Sequence, residues 1–241
     1  MTLLAERSPV VETTATLVAV SHGTSSPEGR EALRALVAAV AAARPDLTVR
    51  AGFVDVQQPD VRAALAALAP RSEAVIVPLL LSAGYHVHVD LADQSAGALV
   101  SKALGPDDRL ARLLHDRLLE AGLRSTDRIV LACAGSSDPR AVHDCHEMGL
   151  RLTRTLGRPV RVGFIAAAGP RLTDAVETER SQAPDARVVV SSYLLAPGYF
   201  ADLARATTAD VTTRTLLAAH RPAPPALVEL VLHRYQESPR T

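Results

Sequence analysis

The stretch LVAVSHGTSSP, from Leu17 to Pro27, decides the fold, because it joins an apolar run to a turn and then to the start of a helix. The run Thr16–Val20 is short and wholly apolar after its first residue, which predicts a buried strand. Ser26 followed by Pro27 is typical of a helix N-cap with proline in the first helical position, so we expect a helix over 28–43. A strand, a turn and a helix in this order predict an α/β unit.

The same alternation continues on both sides of this stretch. Further strands are predicted over 47–56, 74–81 and 98–102, with helices that open at Pro59, near Asp90 and at Asp107. Strands that are almost continuously apolar and alternate with helices indicate a parallel sheet covered on both faces. The second half follows the same plan, with strands over 128–133, 160–165 and 187–195 and helices that open at Pro139 and Pro170.

The second half also repeats the first in sequence. IVLACAGSSDP, from Ile129 to Pro139, matches the opening stretch, and three later landmarks follow in the same order and at nearly the same spacing: Gly52-Phe53 with Gly163-Phe164, Gly84-Tyr85 with Gly198-Tyr199, and Asp90-Leu91 with Asp202-Leu203. Chance similarity of Ala/Val-rich segments would not keep glycines and prolines in register. We therefore predict two tandem, similar α/β domains over 14–122 and 127–241, with the active cleft between them.

The two halves differ at their ionisable residues. His22 is matched by Ala134, His86 by Phe200 and Asp55 by Ala166, and His88 has no counterpart. If duplication once gave two equal sites, the second half has lost its ionisable groups, and we expect the function to depend on the first half or on a cleft that it lines.

Three histidines follow predicted strands of the first half: His22 after the first strand, and His86 and His88 after the third. The carboxyl ends of parallel strands meet at one edge of the sheet, where ligands bind in open α/β folds. Imidazole is the commonest transition-metal ligand in proteins, so this set predicts a site for a divalent transition metal. The alternative is that each histidine is a loop residue hydrogen-bonded to backbone. Neither a paired CxxC nor an HExxH pattern is present, which argues against structural zinc.

The segment Gly23–Ser26 leads into a predicted helix N-terminus, whose N–H groups favour anions such as carboxylates. It lacks the Gly-Lys-Ser/Thr signature of a phosphate-binding loop, and the chain shows no Rossmann glycine pattern. Neither ATP nor a dinucleotide is therefore expected.

Composition excludes several other classes of protein. Basic and acidic residues number 26 each and aromatic residues make up 3%, so we expect no nucleic-acid partner. No apolar run reaches transmembrane length, and 1–14 has no long apolar segment typical of a signal peptide. With two cysteines in 241 residues, a disulfide framework is not expected. These features predict a cytoplasmic protein with no membrane contact.

The segments VSHGT at Val20–Thr24, GFVD at Gly52–Asp55 and PLLLSAGYHVHVDL at Pro78–Leu91 resemble the class II tetrapyrrole chelatases, the sirohydrochlorin chelatase family. The resemblance implies two chelatase-like domains that face each other across a cleft. It implies a lyase that inserts a divalent metal into sirohydrochlorin without ATP, in siroheme or cobalamin biosynthesis, with Fe²⁺ favoured over Co²⁺ as the substrate metal. The tetrapyrrole is then the small-molecule partner, and a fused pair of halves is expected to be monomeric.

The resemblance also assigns roles to residues. The two family histidines correspond to His22 and His86, which would hold the metal and take part in proton removal; His88 is a third candidate ligand. Asp55 or Asp90 would assist as a proton acceptor. Residues expected to bind the substrate are Gly23, Thr24, Ser25, Ser26, Ser82, Gly84 and Tyr85. This chain has His88 and Val89 where the family usually has a basic and an acidic residue, and Asp55 where it usually has Glu.

Two other functions remain open on sequence: a non-catalytic metal or tetrapyrrole carrier of the same fold, and a periplasmic-type binding protein, against which the missing export signal counts. His143, Cys145 and His146 are expected at the surface or the domain interface rather than in a metal site. Tyr85 and Tyr199 occupy matched positions, which favours a packing role shared by both halves; the alternative is a ring that lies against the macrocycle.

Overall fold

The computed structural model describes residues 15–69, 72–82, 91, 95 and 97–238. The first half contains a parallel sheet with the strand order β2-β1-β3-β4. Its strands are β1 (Thr16–Ser21), β2 (Val49–Phe53), β3 (Ala74–Pro78) and β4 (Leu99–Val100). Every residue of β1 and β3 is buried, because these two strands lie in the middle of the sheet and are covered on both faces.

The helices of the first half in the described range are α1 (Pro27–Ala43), α2 (Val61–Ala66) and α3 (Asp108–Glu120). The Ser26 hydroxyl accepts the N–H of Gly29, and Pro27 occupies the first helical position, which confirms the predicted start of α1. Asp60 and Asp107 cap α2 and α3 in the same way. The helix predicted near Asp90 lies outside the described residues.

The second half repeats this plan, with the strand order β6-β5-β7-β8 and all pairs parallel. Its strands are β5 (Arg128–Cys133), β6 (Val160–Phe164), β7 (Val188–Tyr193) and β8 (Val211–Thr212), and its helices are α4 (Pro139–Leu156), α5 (Leu172–Gln182), α6 (Tyr199–Arg205) and α7 (Pro225–Glu237). The predicted fold class, two tandem α/β units with parallel sheets, is confirmed.

The boundaries of several elements differ from the predictions. The strand predicted over 47–56 is paired only from Val49 to Phe53, because the chain then turns and the Val54 N–H donates to the carbonyl of Ser21. The strand predicted over 74–81 ends at Pro78, which has no N–H to donate. The helices α6 and α7 and the strand β8 were not predicted.

The repeat extends to the backbone of the loop after the first strand of each half. The Asp55 N–H donates to the carbonyl of His22 at 3.0 Å, and the Ala166 N–H donates to that of Ala134 at 2.9 Å. Gly23 and Gly135 follow with φ of 95° and 91°. The two halves therefore keep the same loop and differ in the side chain that it carries.

The last helix of each half packs against the other half. α3 packs against α4 and β7, and α7 packs against α1 and β3. The Tyr235 hydroxyl on α7 donates to the carbonyl of Ala15 at 2.5 Å, and the Arg234 guanidinium donates to the carbonyls of Ala103 and Leu104. In the other direction, Arg117 on α3 donates to the carbonyl of Leu216 at 2.9 Å. One continuous core cluster consequently contains residues of both halves.

Asp107 forms a salt bridge with Arg234 on α7, so the stability of this contact between the halves depends on pH. Burial raises the pKa of its carboxyl, but hydrogen bonds from the side chain and backbone of Arg109, with the charges of Arg109 and Arg234, outweigh burial and leave the pKa lowered. A carboxyl with a lowered folded-state pKa stabilises the fold above its unfolded value, about 3.9, and loses that contribution as pH falls through the folded-state pKa.

We therefore expect Asp107→Asn, which can still cap α3, to lower the free energy of unfolding at pH 7. The difference from the wild-type protein should shrink as pH falls below about 4, because the wild-type carboxyl is protonated first in the unfolded chain and, at still lower pH, in the folded protein as well. Urea unfolding across this range measures it. Asp116→Asn, an exposed change on the same helix, is the control. A difference that stays constant from pH 7 to pH 3 would show that the charge of Asp107 is not the cause.

Candidate functional site

A cleft of about 540 Å³ lies between the two halves, at the carboxyl ends of β1, β3, β5 and β7. The first half lines it with the loop after β1 and the segment Leu79–Ser82, and the second half lines it with Ala134–Ser136 and Leu194–Ala201. This is the edge at which ligands bind in parallel α/β folds. Its volume is within the range of small-molecule sites, roughly 300–1,000 Å³. The predicted cleft between the halves is confirmed.

His22 lies at the wall of this cleft, one residue beyond β1. Its side chain is exposed, whereas the preceding residue, Ser21, is buried in the sheet. Its backbone is fixed because its carbonyl accepts the Asp55 N–H. Among the described residues that line the cleft, His22 is the one histidine. An exposed imidazole on a fixed loop can accept a proton or ligate a metal that enters the cleft.

The loop behind His22 is held by side chains of neighbouring segments. The Thr24 N–H donates to Gln57 Oε1 at 2.8 Å, and the Arg30 guanidinium donates to the carbonyls of Thr24 and Ser25 at 3.1 and 3.0 Å. Thr24 Oγ1 accepts the N–H of Ser26 at 3.1 Å. The loop is therefore ordered before any ligand binds.

Gly23 is required by the backbone at this position. Its φ is 95°, and a Cβ built on it would stand 2.1 Å from the carbonyl oxygen of Asp55. Gly135 is its counterpart, with φ of 91° and a Cβ position 1.8 Å from the carbonyl oxygen of Ala166. Both clashes are with backbone, so the loop itself has to move if either glycine gains a side chain.

We expect Gly23→Ala and Gly135→Ala to destabilise the fold by similar amounts, about 1–3 kcal/mol each, since both force a residue with a side chain into the same strained conformation. Only Gly23→Ala displaces His22, so only this variant should lose most of the metal-insertion activity that the sequence resemblance implies, per folded molecule. Thermal unfolding and an insertion assay on both variants measure the two effects. Equal loss of activity in both would contradict a special role for the His22 loop.

The predicted site residues divide into three groups. His22, Gly23, Thr24, Ser25 and Ser82 line the cleft. Two do not: the Ser26 hydroxyl caps α1, and the exposed carboxylate of Asp55 accepts the N–H of Val56 at 2.7 Å. The remaining calls fall on residues outside the described part of the chain: Gly84, Tyr85, His86, His88 and Asp90.

The structure places other residues in the cleft that the sequence did not single out. Val56 lines it from the first half, and Phe200 lines it from the second. Tyr199, which the repeat assigned to packing, is 72% exposed and also lines the cleft, so the expected packing role is wrong. It begins a short surface helix, and its side chain therefore points away from the core of the second half.

Two buried thiols are paired next to the cleft. Cys145 on α4 lines the cavity and is hydrogen-bonded to Cys133 at the end of β5; this bond, with a smaller contribution from Ser82, lowers the pKa of Cys145. Burial raises the pKa of Cys133 well above its ordinary value. His143 and His146 are exposed, as predicted, and Cys145 lies at the interface between the halves, which was the predicted alternative to the surface.

Beside the thiols, the Tyr193 hydroxyl donates to the carbonyl of Leu81 at 2.7 Å and thereby joins β7 to the first half. Burial raises the pKa of Tyr193, so its hydroxyl stays protonated. Tyr193 and Leu81, which both line the cleft, consequently form a fixed contact between the two halves.

Within the described ranges, no group of three His, Cys, Asp or Glu side chains is arranged to hold one metal ion. His22 would need a second metal ligand from elsewhere, and the sequence predicts it at His86.

None of the helices in the described part of the chain is both long and apolar enough to cross a bilayer.

The fold and the cleft together define a tandem α/β protein whose ligand site lies between two similar halves. A family model described as CbiX matches both halves, over residues 16–121 and 128–238. The chain therefore belongs to the CbiX family, among the class II tetrapyrrole chelatases, as its motifs indicated.

Similar proteins of known name agree with this membership. A sirohydrochlorin cobaltochelatase of Methanosarcina acetivorans is 28% identical over an alignment of 123 positions, which covers 44% of this chain and 95% of that protein. A protein of the same name from Methanococcoides burtonii is 26% identical over 43% of this chain and 94% of its own length. The structure of SirB from Bacillus subtilis with Fe³⁺ superposes with a TM-score of 0.74 at 20% identity, covering 92% of this chain and 94% of that one. At this identity the likeness of the structures shows the fold alone.

Proposed function

We propose that this protein inserts a divalent metal into sirohydrochlorin in the cleft between its two halves, without ATP. The observation that supports the reaction is the position of His22, an exposed imidazole on a preformed loop at the carboxyl edge of the first sheet, in a chain whose family model matches both halves. The two relatives named above are sirohydrochlorin cobaltochelatases, which supports the substrate.

The chemistry requires a base as well as a metal ligand. Two pyrrole N–H protons leave the macrocycle as the metal enters, and a neutral imidazole can accept one of them or bind the metal, although one nitrogen cannot do both at once. In this proposal His22 and His86 share these tasks and His88 is a further metal ligand. Asp90 assists as a proton acceptor, or Asp55 does so from outside the residues that line the cleft.

Carboxylates on the rim of the tetrapyrrole need donors at the edge of the cleft. The loop Gly23–Ser25 is proposed to supply the backbone N–H groups of Gly23 and Ser25, because that of Thr24 already donates to Gln57. Thr24 and Ser82 are proposed to contribute their hydroxyls. The sequence adds Gly84 and Tyr85 as further candidates for binding the substrate, and Ser26 would contribute through the start of α1. The substrate is thereby held before the metal arrives.

The proposal has further parts that follow from the sequence. The metal is Fe²⁺ or Co²⁺ as substrate, with Fe²⁺ favoured; the pathway is that of siroheme or cobalamin; the chain is a cytoplasmic monomer, and its domains are residues 14–122 and 127–241. The names of the relatives favour Co²⁺ instead, so the metal is the part that most needs measurement.

The deciding experiment is anaerobic incubation of the protein with sirohydrochlorin and either Fe²⁺ or Co²⁺, followed by absorbance of the macrocycle. The proposal predicts many turnovers per protein molecule with at least one of the two metals. A reaction that stops after one equivalent would instead support a carrier of metal or tetrapyrrole, and no spectral change above the uncatalysed rate would refute the function.

A further inference from the structure

The cleft exposes apolar side chains of both halves to solvent. Tyr199 is 72% exposed and Phe200 40%, and both line the cleft from the start of α6. Val56, 56% exposed, lines it from the other half. An apolar surface of this kind, grouped in a cavity, is typical of a binding site rather than of an ordinary protein surface.

The aromatic wall, Tyr199 and Phe200, belongs to the second half, which has no counterparts of His22 and His86. In the sequence repeat Phe200 takes the position of His86, and Ala134 takes that of His22. The loop that carries Ala134 keeps the backbone hydrogen bond of its counterpart, so the second half has the same loop as the first but carries apolar residues where the first half carries His22 and His86. The cleft thus has a first-half wall with His22 and a second-half wall with two aromatic rings.

The two rings present different surfaces to the cleft. Their centroids are 5.9 Å apart and their planes meet at 73°, so they cannot both lie flat against one planar ligand. One ring can stack on the ligand while the other meets it with its edge, and both arrangements are favourable for aromatic groups. A flat conjugated ring system is the chemical class that uses both contacts.

We infer that the macrocycle lies against Tyr199 and Phe200 of the second half, so that the metal enters from the opposite face, which is turned towards His22. This inference rests on the proposed function, because it names the wall on which that substrate lies. The two halves then have different roles: the second binds the macrocycle, and the first binds the metal and accepts the protons.

The test measures binding of sirohydrochlorin to the metal-free protein, by absorbance or fluorescence titration, for the wild type, Tyr199→Ala, Phe200→Ala and the double variant. We expect each single change to raise the Kd about tenfold and the double change to raise it further. The loss should be the same at low and high salt, since an apolar contact is not screened as a charge contact is. Phe200→Tyr, which keeps the ring, should restore most of the affinity.

Leu203→Ala is the matched control, because Leu203 lies on the same helix and is 37% exposed but does not line the cleft. It should bind sirohydrochlorin as the wild type does. In the insertion assay the two aromatic variants should raise KM more than they lower kcat. Co²⁺ binding without tetrapyrrole should be unchanged, since the variants leave His22 in place.

The outcomes separate this inference from the proposed function. If the wild-type protein inserts metal with many turnovers and Phe200→Ala and Tyr199→Ala bind sirohydrochlorin as tightly as it does, the aromatic wall is refuted and the function stands. If the wild-type protein neither binds nor metallates sirohydrochlorin, both are refuted.

Discussion

Replacement of His22 by alanine is expected to lower the rate of metal insertion by about 10²- to 10⁴-fold, the usual contribution of a positioned acid–base group. His22 is exposed to the cleft and its backbone is held through Asp55 and the Gly23 turn, so the change removes an imidazole and leaves the loop as it is. The free energy of unfolding should hardly change, because little surface of an exposed side chain is buried on folding.

Steady-state insertion kinetics under anaerobic conditions measure this loss. His143→Ala is the matched control, since His143 is also exposed but lies on α4 outside the residues that line the cleft. Its rate should equal that of the wild type. An H22A variant that retains the wild-type rate would remove His22 from the mechanism, whereas a variant that binds tetrapyrrole normally and inserts no metal would place its role at the metal or proton step.

The second large effect is expected at Tyr235, where the last helix of the chain packs on the first half. The side chain is fully buried, and its hydroxyl donates to the carbonyl of Ala15. Tyr235→Ala leaves a cavity of aromatic size and should lower the free energy of unfolding by about 3–5 kcal/mol. Tyr235→Phe keeps the packing and loses one hydrogen bond, which should cost about 1 kcal/mol.

Urea unfolding of these variants measures both values, with Gln236→Ala, an exposed change on the same helix, as the control. Because α7 joins the second half to the core of the first, the transition should remain single and shift as a whole. Two separate transitions in Tyr235→Ala, with the second half unchanged, would show that the exchanged helix does not couple the halves.

Local patterns in the sequence predicted much of the fold. The strand β1, the cap of α1 at Ser26 and the repeat at Ile129–Cys133 depend on neighbouring residues, so the sequence carried enough information for them. The exchange of α3 and α7 could not be predicted in this way. Apolar spacing shows that a helix such as 225–237 has a buried face, but it does not show which of two similar sheets covers that face.

The candidate site was predictable to a similar degree. A histidine after a central strand was enough to place His22 at the cleft, because strand ends define that edge. The packing role predicted for Tyr199 was wrong because the sequence repeat shows only which residues of the two halves correspond. The exposure of a side chain depends instead on which residues pack against it. The contact between Cys133 and Cys145 joins a strand to a helix and has no signal in their spacing.

Because the last helix of each half packs on the other half, the fusion of the two halves affects how the folded population depends on protein concentration. A chain of half this length with the same fold would find the helix that covers its sheet only in a second molecule, so its folded population would fall as the solution is diluted. Covalent joining of the two halves makes the same meeting intramolecular, at an effective concentration set by the short connection between Glu120 and Arg128. It also frees one copy of the site from the symmetry that identical chains impose, and so allows a histidine on one side to face a phenylalanine on the other.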